Sequence, residues 1–192
     1  FPTRRSSDLE IKKYGLGHDD YILFLARLVP EKGAHYLIAA YNNLNTDKKL
    51  VIAGGSSFTE DYVKQLQGLA GDNKSIIFTG NVGGNLLAEL YCNCALYVLP
   101  SDIEGMPLTL LEALSYGKKV LVSDIKENLQ VIEGIDNCYS FRRADVFDLT
   151  TKINSIILEA KVYDPKDTIN IIEEQYSWGK VVTQYLDEVK GF

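Results

Sequence analysis

The chain has 192 residues, 20 of them Lys or Arg and 26 Asp or Glu, a formal charge of −6. That length suits one domain able to bury roughly 70% of its unfolded surface, and 46% hydrophobic with 24% charged residues is an ordinary globular balance. The acidic balance argues against a binder of nucleic-acid phosphates. Apolar runs far shorter than the roughly 20 residues a bilayer demands argue against a spanning helix. Three cysteines are too few for a disulfide scaffold, so a reducing cytoplasm is the expected location.

Residues 1–8 (FPTRRSSD) are polar, aperiodic and without the apolar stretch of a signal peptide. They read as an in-frame translation of a sequencing-adapter oligonucleotide, a non-native leader or scar, or else as a frayed terminus. Setting them aside removes Arg4, Arg5 and Asp8, which takes the 20 basic and 26 acidic residues to 18 and 25, a net −7. The domain then runs over 9–192.

From Tyr21 short apolar runs recur: Tyr21–Ala26, Leu50–Ala53, Ile76–Phe78, Leu96–Leu99 and Val120–Val122. Continuous runs of this length, bounded by Gly, Pro, Ser or Asp, suit strands buried on both faces. Helical spacing lies between them: Tyr36, Leu37, Ala40 and Tyr41, then Tyr62, Val63, Leu66 and Leu69, then Leu86, Leu87, Leu90 and Tyr91, then Leu110, Leu111 and Leu114. The alternation predicts an α/β, Rossmann-like parallel sheet with helices on both faces. After Ser123 the pattern predicts a helical C-terminal segment, with a helix over 145–161, a break at Asp164-Pro165 and a last amphipathic helix over 177–188, Ser177 as its N-cap.

In open α/β sheets ligands sit at the carboxyl ends of the strands, so the residues just after each strand matter most. After the first come Arg27 and Lys32, two cations across a proline turn at a helix entry, suited to a diphosphate or simply solvated. After the second come Gly54-Gly55-Ser56, where glycine permits close approach but no GxGxxG fingerprint stands. Asn81 and Val82 follow the third, a turn with backbone groups suited to a base edge. After the fourth, the segment 100–114 carries Glu104, Gly105, Met106, Leu108 and Glu112. Pro107 suits a first helical residue. Glu112, five residues on, sits roughly 7–8 Å along that helix. The two carboxylates flank an anion at the helix start, each able to accept from vicinal hydroxyls. A Glu among Leu110, Leu111, Ala113 and Leu114 is costly as pure core.

The ordered set ARLVPEKG, LVIAGGS, IIFTGNV, LYVLPSDIEGMPLTLLEAL and VLVSDI resembles the C-terminal, donor-binding domain of the family 4 glycosyltransferases, over about Tyr21–Ile125. The diagnostic part is Glu104–x7–Glu112, and the closing Tyr176-Ser177-Trp178 is similar too. The resemblance implies one half of a GT-B fold and retaining chemistry. A hexose-type sugar would pass from a UDP-, GDP- or ADP-sugar to a glycan or lipid-linked acceptor in cell-envelope polysaccharide biosynthesis. It implies catalytic roles for Glu104, Arg27 and Lys32. Arg27 and Lys32 would bind the diphosphate and Glu104 the transferred sugar, with the amides of Gly105, Met106 and Leu108 around sugar and phosphate. Glu112 would hold the ribose, Asn81 and Val82 would line the base, and Gly54 completes the donor-binding set. Ala26 and Met106 depart from the family's usual glycine and aromatic residue, which leaves donor preference open.

No cofactor is expected, the nucleotide sugar being a substrate. No metal is expected either: no Asp-x-Asp occurs, and Cys92-x-Cys94 has no second pair at zinc spacing. Cys92 and Cys94 are expected as buried thiols, and His18 and His35 as surface or helix-edge residues. An N-terminal acceptor domain lies outside this chain on this reading, so the chain alone is expected to bind donor without transferring sugar. The full-length enzyme would associate peripherally with a membrane. A nucleotide-sugar epimerase or phosphorylase of the same fold, or a non-catalytic nucleotide-sugar-binding module, is the alternative. The former would need acid/base or cofactor-anchoring residues that the site loops lack.

Overall fold

The computed structural model describes residues 8–56, 59–161 and 163–176. Residues 1–7 of the leader expected over 1–8, and the helix expected over 177–188, lie outside the described residues.

The five expected strands form as β1 (Tyr21–Leu25), β2 (Lys49–Ala53), β3 (Ile76–Gly80), β4 (Leu96–Leu99) and β5 (Val120–Ser123). Between them run α1 (Ala34–Tyr41), α2 (Glu60–Ala70), α3 (Gly84–Asn93) and α4 (Leu108–Ser115). A further helix α5 (Lys126–Ile132) and strand β6 (Cys138–Phe141) extend the alternation where only helix was expected. The sequence Cys138-Tyr-Ser-Phe141 hides its strand character because Ser140 breaks the apolar run, and only Phe141 of the four is buried in this edge strand. Helices α6 (Val146–Ile157) and α7 (Pro165–Tyr176) follow. Asp145 caps α6 by accepting from the Asp148 amide at 2.8 Å, and Pro165 opens α7, where its missing N–H costs nothing.

All pairings among the described strands are parallel, in the order β3-β2-β1-β4-β5-β6. Period-two alternation divides each apolar run between the two faces. Ile22, Phe24, Leu50, Ile52, Val98 and Leu121 face a core closed by α1, α2 and α6. Leu23, Val51, Tyr97, Leu99, Val120 and Val122 face a second, closed by α3, α4 and residues of α5 and α7. This double burial explains why the strands read as unbroken apolar runs, each such side chain contributing about 1.5–3 kcal/mol. The chain order reverses between β1 and β4, and the loops after these two strands open a crevice at their carboxyl ends.

His35 of α1 and Tyr62 of α2 make a polar tie between the two helices. The Tyr62 hydroxyl lies 2.8 Å from Nδ1 of His35, whose ring is half-buried against Tyr36. This histidine is therefore more enclosed than a surface residue, and burial holds its pKa below 6.5. The folded state favours neutral imidazole, so stability is retained at neutral pH and falls as pH drops through the unfolded value near 6.5. The melting temperature of wild type relative to His35→Gln should be constant above pH 7 and fall as pH drops below 6.5. Curves parallel throughout would contradict this. His18 stays largely exposed beside Asp19. Cys94 is fully buried, its thiol pushed up to about 12 by desolvation, while Cys92 is half-buried.

Candidate functional site

The crevice is built by two loops that lie unusually close. Gly33 adopts φ +70°, and a Cβ there would overlap the Pro100 carbonyl oxygen, so glycine lets the loop after β1 press against the end of β4. The Asp102 amide then donates to the Glu31 carbonyl at 2.8 Å, and the Tyr36 hydroxyl to Asp102 Oδ2 at 3.2 Å. This contact delivers Lys32 to Glu104. Lys32 Nζ lies 2.7 Å from Glu104 Oε2, with side-chain exposures of only 15% and 5%. The other carboxylate oxygen, Oε1, accepts from Ser101 Oγ at 2.7 Å. Glu104 is thus fully partnered, as an almost buried carboxylate must be.

Beside it opens a cleft of about 660 Å³ lined by Asp102, Ile103, Glu104, Asp124, Ile125, Lys126, Glu127, Arg142 and Arg143. Arg27, at the end of β1, is exposed, and among the described residues its guanidinium has no hydrogen-bond or ion-pair partner. Gly105 and Met106 are exposed, and among the described residues their amides make no hydrogen bond. Leu108 differs from expectation. Its amide donates to the Met106 carbonyl at 2.9 Å, closing a tight turn, so it is not free for a ligand in this conformation. Pro107 occupies the capping position just before α4 instead of its first turn, and accepts from the Leu110 and Leu111 amides at 3.0 and 3.1 Å.

Glu112, one turn into α4, is half-buried and accepts from the Tyr91 hydroxyl at 2.9 Å. No hydrogen bond or ion pair links it to Arg27, Lys32 or Glu104 among the described residues. On the far side of β1, Gly54 meets a structural need: at φ +139° its absent Cβ makes room for the Ala26 carbonyl. Packing of β1 on β2 therefore accounts for this glycine without any ligand. Gly55 lies against the Asn81 side chain, joining the loops after β2 and β3; Asn81 is exposed and Val82 is half-buried on the second core. A second cleft of about 520 Å³, walled by Leu28, Gly54–Ser56, Val63 and Phe78–Gly80, opens there.

Lys32 and Glu104 thus meet directly at the crevice, while among the described residues no hydrogen bond or ion pair joins Glu112, Asn81 or Val82 to them. Sequence reasoning passed over Ser101 and Tyr91. Tyr91 shares a helical stripe with Leu86, Leu87 and Leu90, and its one signal was that a buried tyrosine needs a partner for its hydroxyl.

Among the described residues no group of three or more His, Cys, Asp or Glu side chains converges as a metal site, and no helix is long and apolar enough to cross a membrane. By structure the chain is similar to the Anabaena protein HepE crystallised with UDP and glucose, with a TM-score of 0.85 at 20% identity, over 96% of this chain and 52% of that one. This likeness shows the fold alone, a Rossmann-like parallel α/β sheet of the GT-B type. By sequence it is 27% identical over 173 residues to an uncharacterised glycosyltransferase of Methanocaldococcus jannaschii, covering 88% of this chain and 44% of the relative. It is also 29% identical over 184 residues to an Escherichia coli UDP-Gal:alpha-D-GlcNAc-diphosphoundecaprenol alpha-1,3-galactosyltransferase, covering 90% and 44%. The chain thus spans less than half the length of these curated relatives. The family model for glycosyl transferases group 1 matches residues 6–174, which carry every strand and loop described above. The chain belongs to the group 1 glycosyl transferases.

Proposed function

We propose that this domain binds a nucleoside diphosphate sugar across the β1–β4 crevice and acts as the donor half of a retaining glycosyltransferase of the family 4 type. The observation that carries the reading is the Lys32–Glu104 pair, an ammonium and a carboxylate held at 2.7 Å in the mouth of the switch-point crevice. A diphosphate brings more negative charge than one carboxylate, so it draws Lys32 to itself together with Arg27, whose guanidinium has no partner among the described residues. Glu104 Oε2 is then released to accept from hydroxyls of the transferred sugar. The amides of Gly105 and Met106, without a hydrogen bond among the described residues, are available to the same sugar and phosphate. Towards β2 and β3 the mainly apolar cleft beside Asn81 and Val82 takes the base, and Glu112 takes the ribose.

In the reaction the bond from the anomeric carbon to the phosphate oxygen breaks as charge spreads over the diphosphate, where Arg27 and Lys32 stabilise it. The acceptor oxygen bonds to the anomeric carbon on the face the phosphate leaves, and its proton passes to a diphosphate oxygen. The products are a glycoside of unchanged anomeric configuration and a nucleoside diphosphate. The acceptor, a glycan or lipid-linked saccharide, is held by a domain outside these 192 residues. The likeness to the E. coli galactosyltransferase named above supports an acceptor of that class.

Incubation of the full-length enzyme with an isotopically labelled hexose donor and a saccharide acceptor tests this. The expected result is transfer with retained configuration in the NMR spectrum of the product, and binding without transfer for the 192-residue chain alone. Epimerised donor, phosphorolysis or an inverted product would each contradict it.

A further inference from the structure

A buried tyrosine stands behind the carboxylate assigned to the ribose. Tyr91 of α3 is 1% exposed, yet its hydroxyl points out of the apolar stripe to Glu112 Oε2 at 2.9 Å, with the Thr109 carbonyl 3.1 Å away. Its ring is clamped. On one side Tyr116 stacks at 5.4 Å between centroids and 14° between planes, and on the other Tyr97 packs at 5.9 Å. Tyr97 is itself pinned, its hydroxyl donating to Thr109 Oγ1 at 2.8 Å and lying 3.2 Å from the Leu25 carbonyl. Two buried hydroxyls thus fix the first turn of α4 against α3 and the end of β1, one residue before Ala26-Arg27.

A phenylalanine at 91 would fill the same space between Tyr97 and Tyr116, so packing does not account for the hydroxyl. What the hydroxyl adds is a donor to one oxygen of a half-buried carboxylate. Burial pushes the Tyr91 phenol far above its usual range, so it stays protonated at any working pH and always donates. With one site on Oε2 occupied, the carboxylate plane is fixed and Oε1, which among the described residues has no hydrogen-bond partner, is aimed to accept. An aimed carboxylate suits the hydroxyls of a rigid cis-diol such as ribose, and costs less ordering on binding than a freely turning one.

We propose that Tyr91 is a positioning residue that holds Glu112 to read the ribose hydroxyls of the donor nucleotide. This rests on the ribose role given to Glu112 above. The test compares each of UDP, GDP and ADP with its 2′-deoxy form by isothermal titration, on wild type, Tyr91→Phe, Glu112→Gln and the double variant. Wild type is expected to prefer the ribonucleotide it binds best by roughly 10-fold, the worth of a hydrogen bond to a charged group. Tyr91→Phe should weaken the ribonucleotide but not the deoxy form, bringing the preference to within about 2-fold while the chain still melts cooperatively. In the Glu112→Gln background the same change should shift the preference no further. If Tyr91→Phe keeps the wild-type preference, or if the two changes add, Tyr91 serves packing alone and the proposal is overturned with the ribose reading intact. A wild-type chain indifferent to the 2′-hydroxyl overturns that reading instead, and the positioning role with it. Should Tyr91→Phe not fold, the same titrations on Tyr116→Leu, which keeps the hydroxyl but removes the stacked ring, are expected to show a reduced preference; an unchanged one counts against the proposal.

Discussion

Lys32→Ala is expected to lower both stability and activity, and by separable amounts. The substitution leaves the Glu104 carboxylate, 5% exposed in the pair, with Ser101 as its only remaining partner among the described residues. Removing one partner of a buried pair costs about 3 kcal/mol, read as a fall in the urea midpoint at unchanged slope. It also removes a cation from the proposed diphosphate site, which lowers turnover of the full-length enzyme roughly 10²–10³-fold. The double variant Lys32→Met with Glu104→Leu separates the effects. An apolar pair of similar volume should restore most of the midpoint, while nucleotide affinity stays lost. Arg27→Ala, at an exposed guanidinium, should leave the midpoint within about 0.5 kcal/mol of wild type and lower turnover to a similar degree. Wild-type turnover in both single variants would contradict the account.

Gly33→Ala carries the second large effect. At φ +70° an alanine is strained by roughly 1–2 kcal/mol, and its Cβ meets the Pro100 carbonyl, a backbone atom that cannot swing aside. Forcing the loops after β1 and β4 apart adds roughly 1–3 kcal/mol. It also breaks the Asp102–Glu31 backbone bond that seats Lys32 opposite Glu104. Stability and nucleotide affinity should therefore fall together. Gly105→Ala is the control: a Cβ there has no heavy atom within 4 Å, and its φ lies outside the left-handed region. Its melting temperature should match wild type. A Gly33→Ala chain as stable as Gly105→Ala would show that the two loops are not wedged as described.

Strands β1, β2, β4 and β5 were legible because they are buried on both faces and read as unbroken apolar runs, and the edge strand β3 was legible from its apolar Ile76-Ile77-Phe78. The other edge strand, β6, was not, since Cys138-Tyr-Ser-Phe141 is broken by Ser140 and holds no such run. Lys32 and Glu104 could be named from their places after β1 and β4. Their 2.7 Å contact could not, because it depends on Gly33 admitting the Pro100 carbonyl, a packing relation between residues far apart in the chain. Leu108 shows the converse. Its position at a helix start suggested a free amide, and the turn through Pro107 spends that amide on Met106. Gly54, singled out for close approach of a ligand, also leaves room for the Ala26 carbonyl. Tyr91 was hidden by its own periodicity, an apolar stripe that conceals a hydroxyl reaching Glu112.

Isothermal titration of the 192-residue chain with UDP, GDP and ADP tests the central claim most directly. The account predicts saturable 1:1 binding of at least one of them, lost in Arg27→Ala and in the Lys32→Met, Glu104→Leu chain. A folded wild-type chain that binds none of the three would contradict a donor site at the β1–β4 crevice.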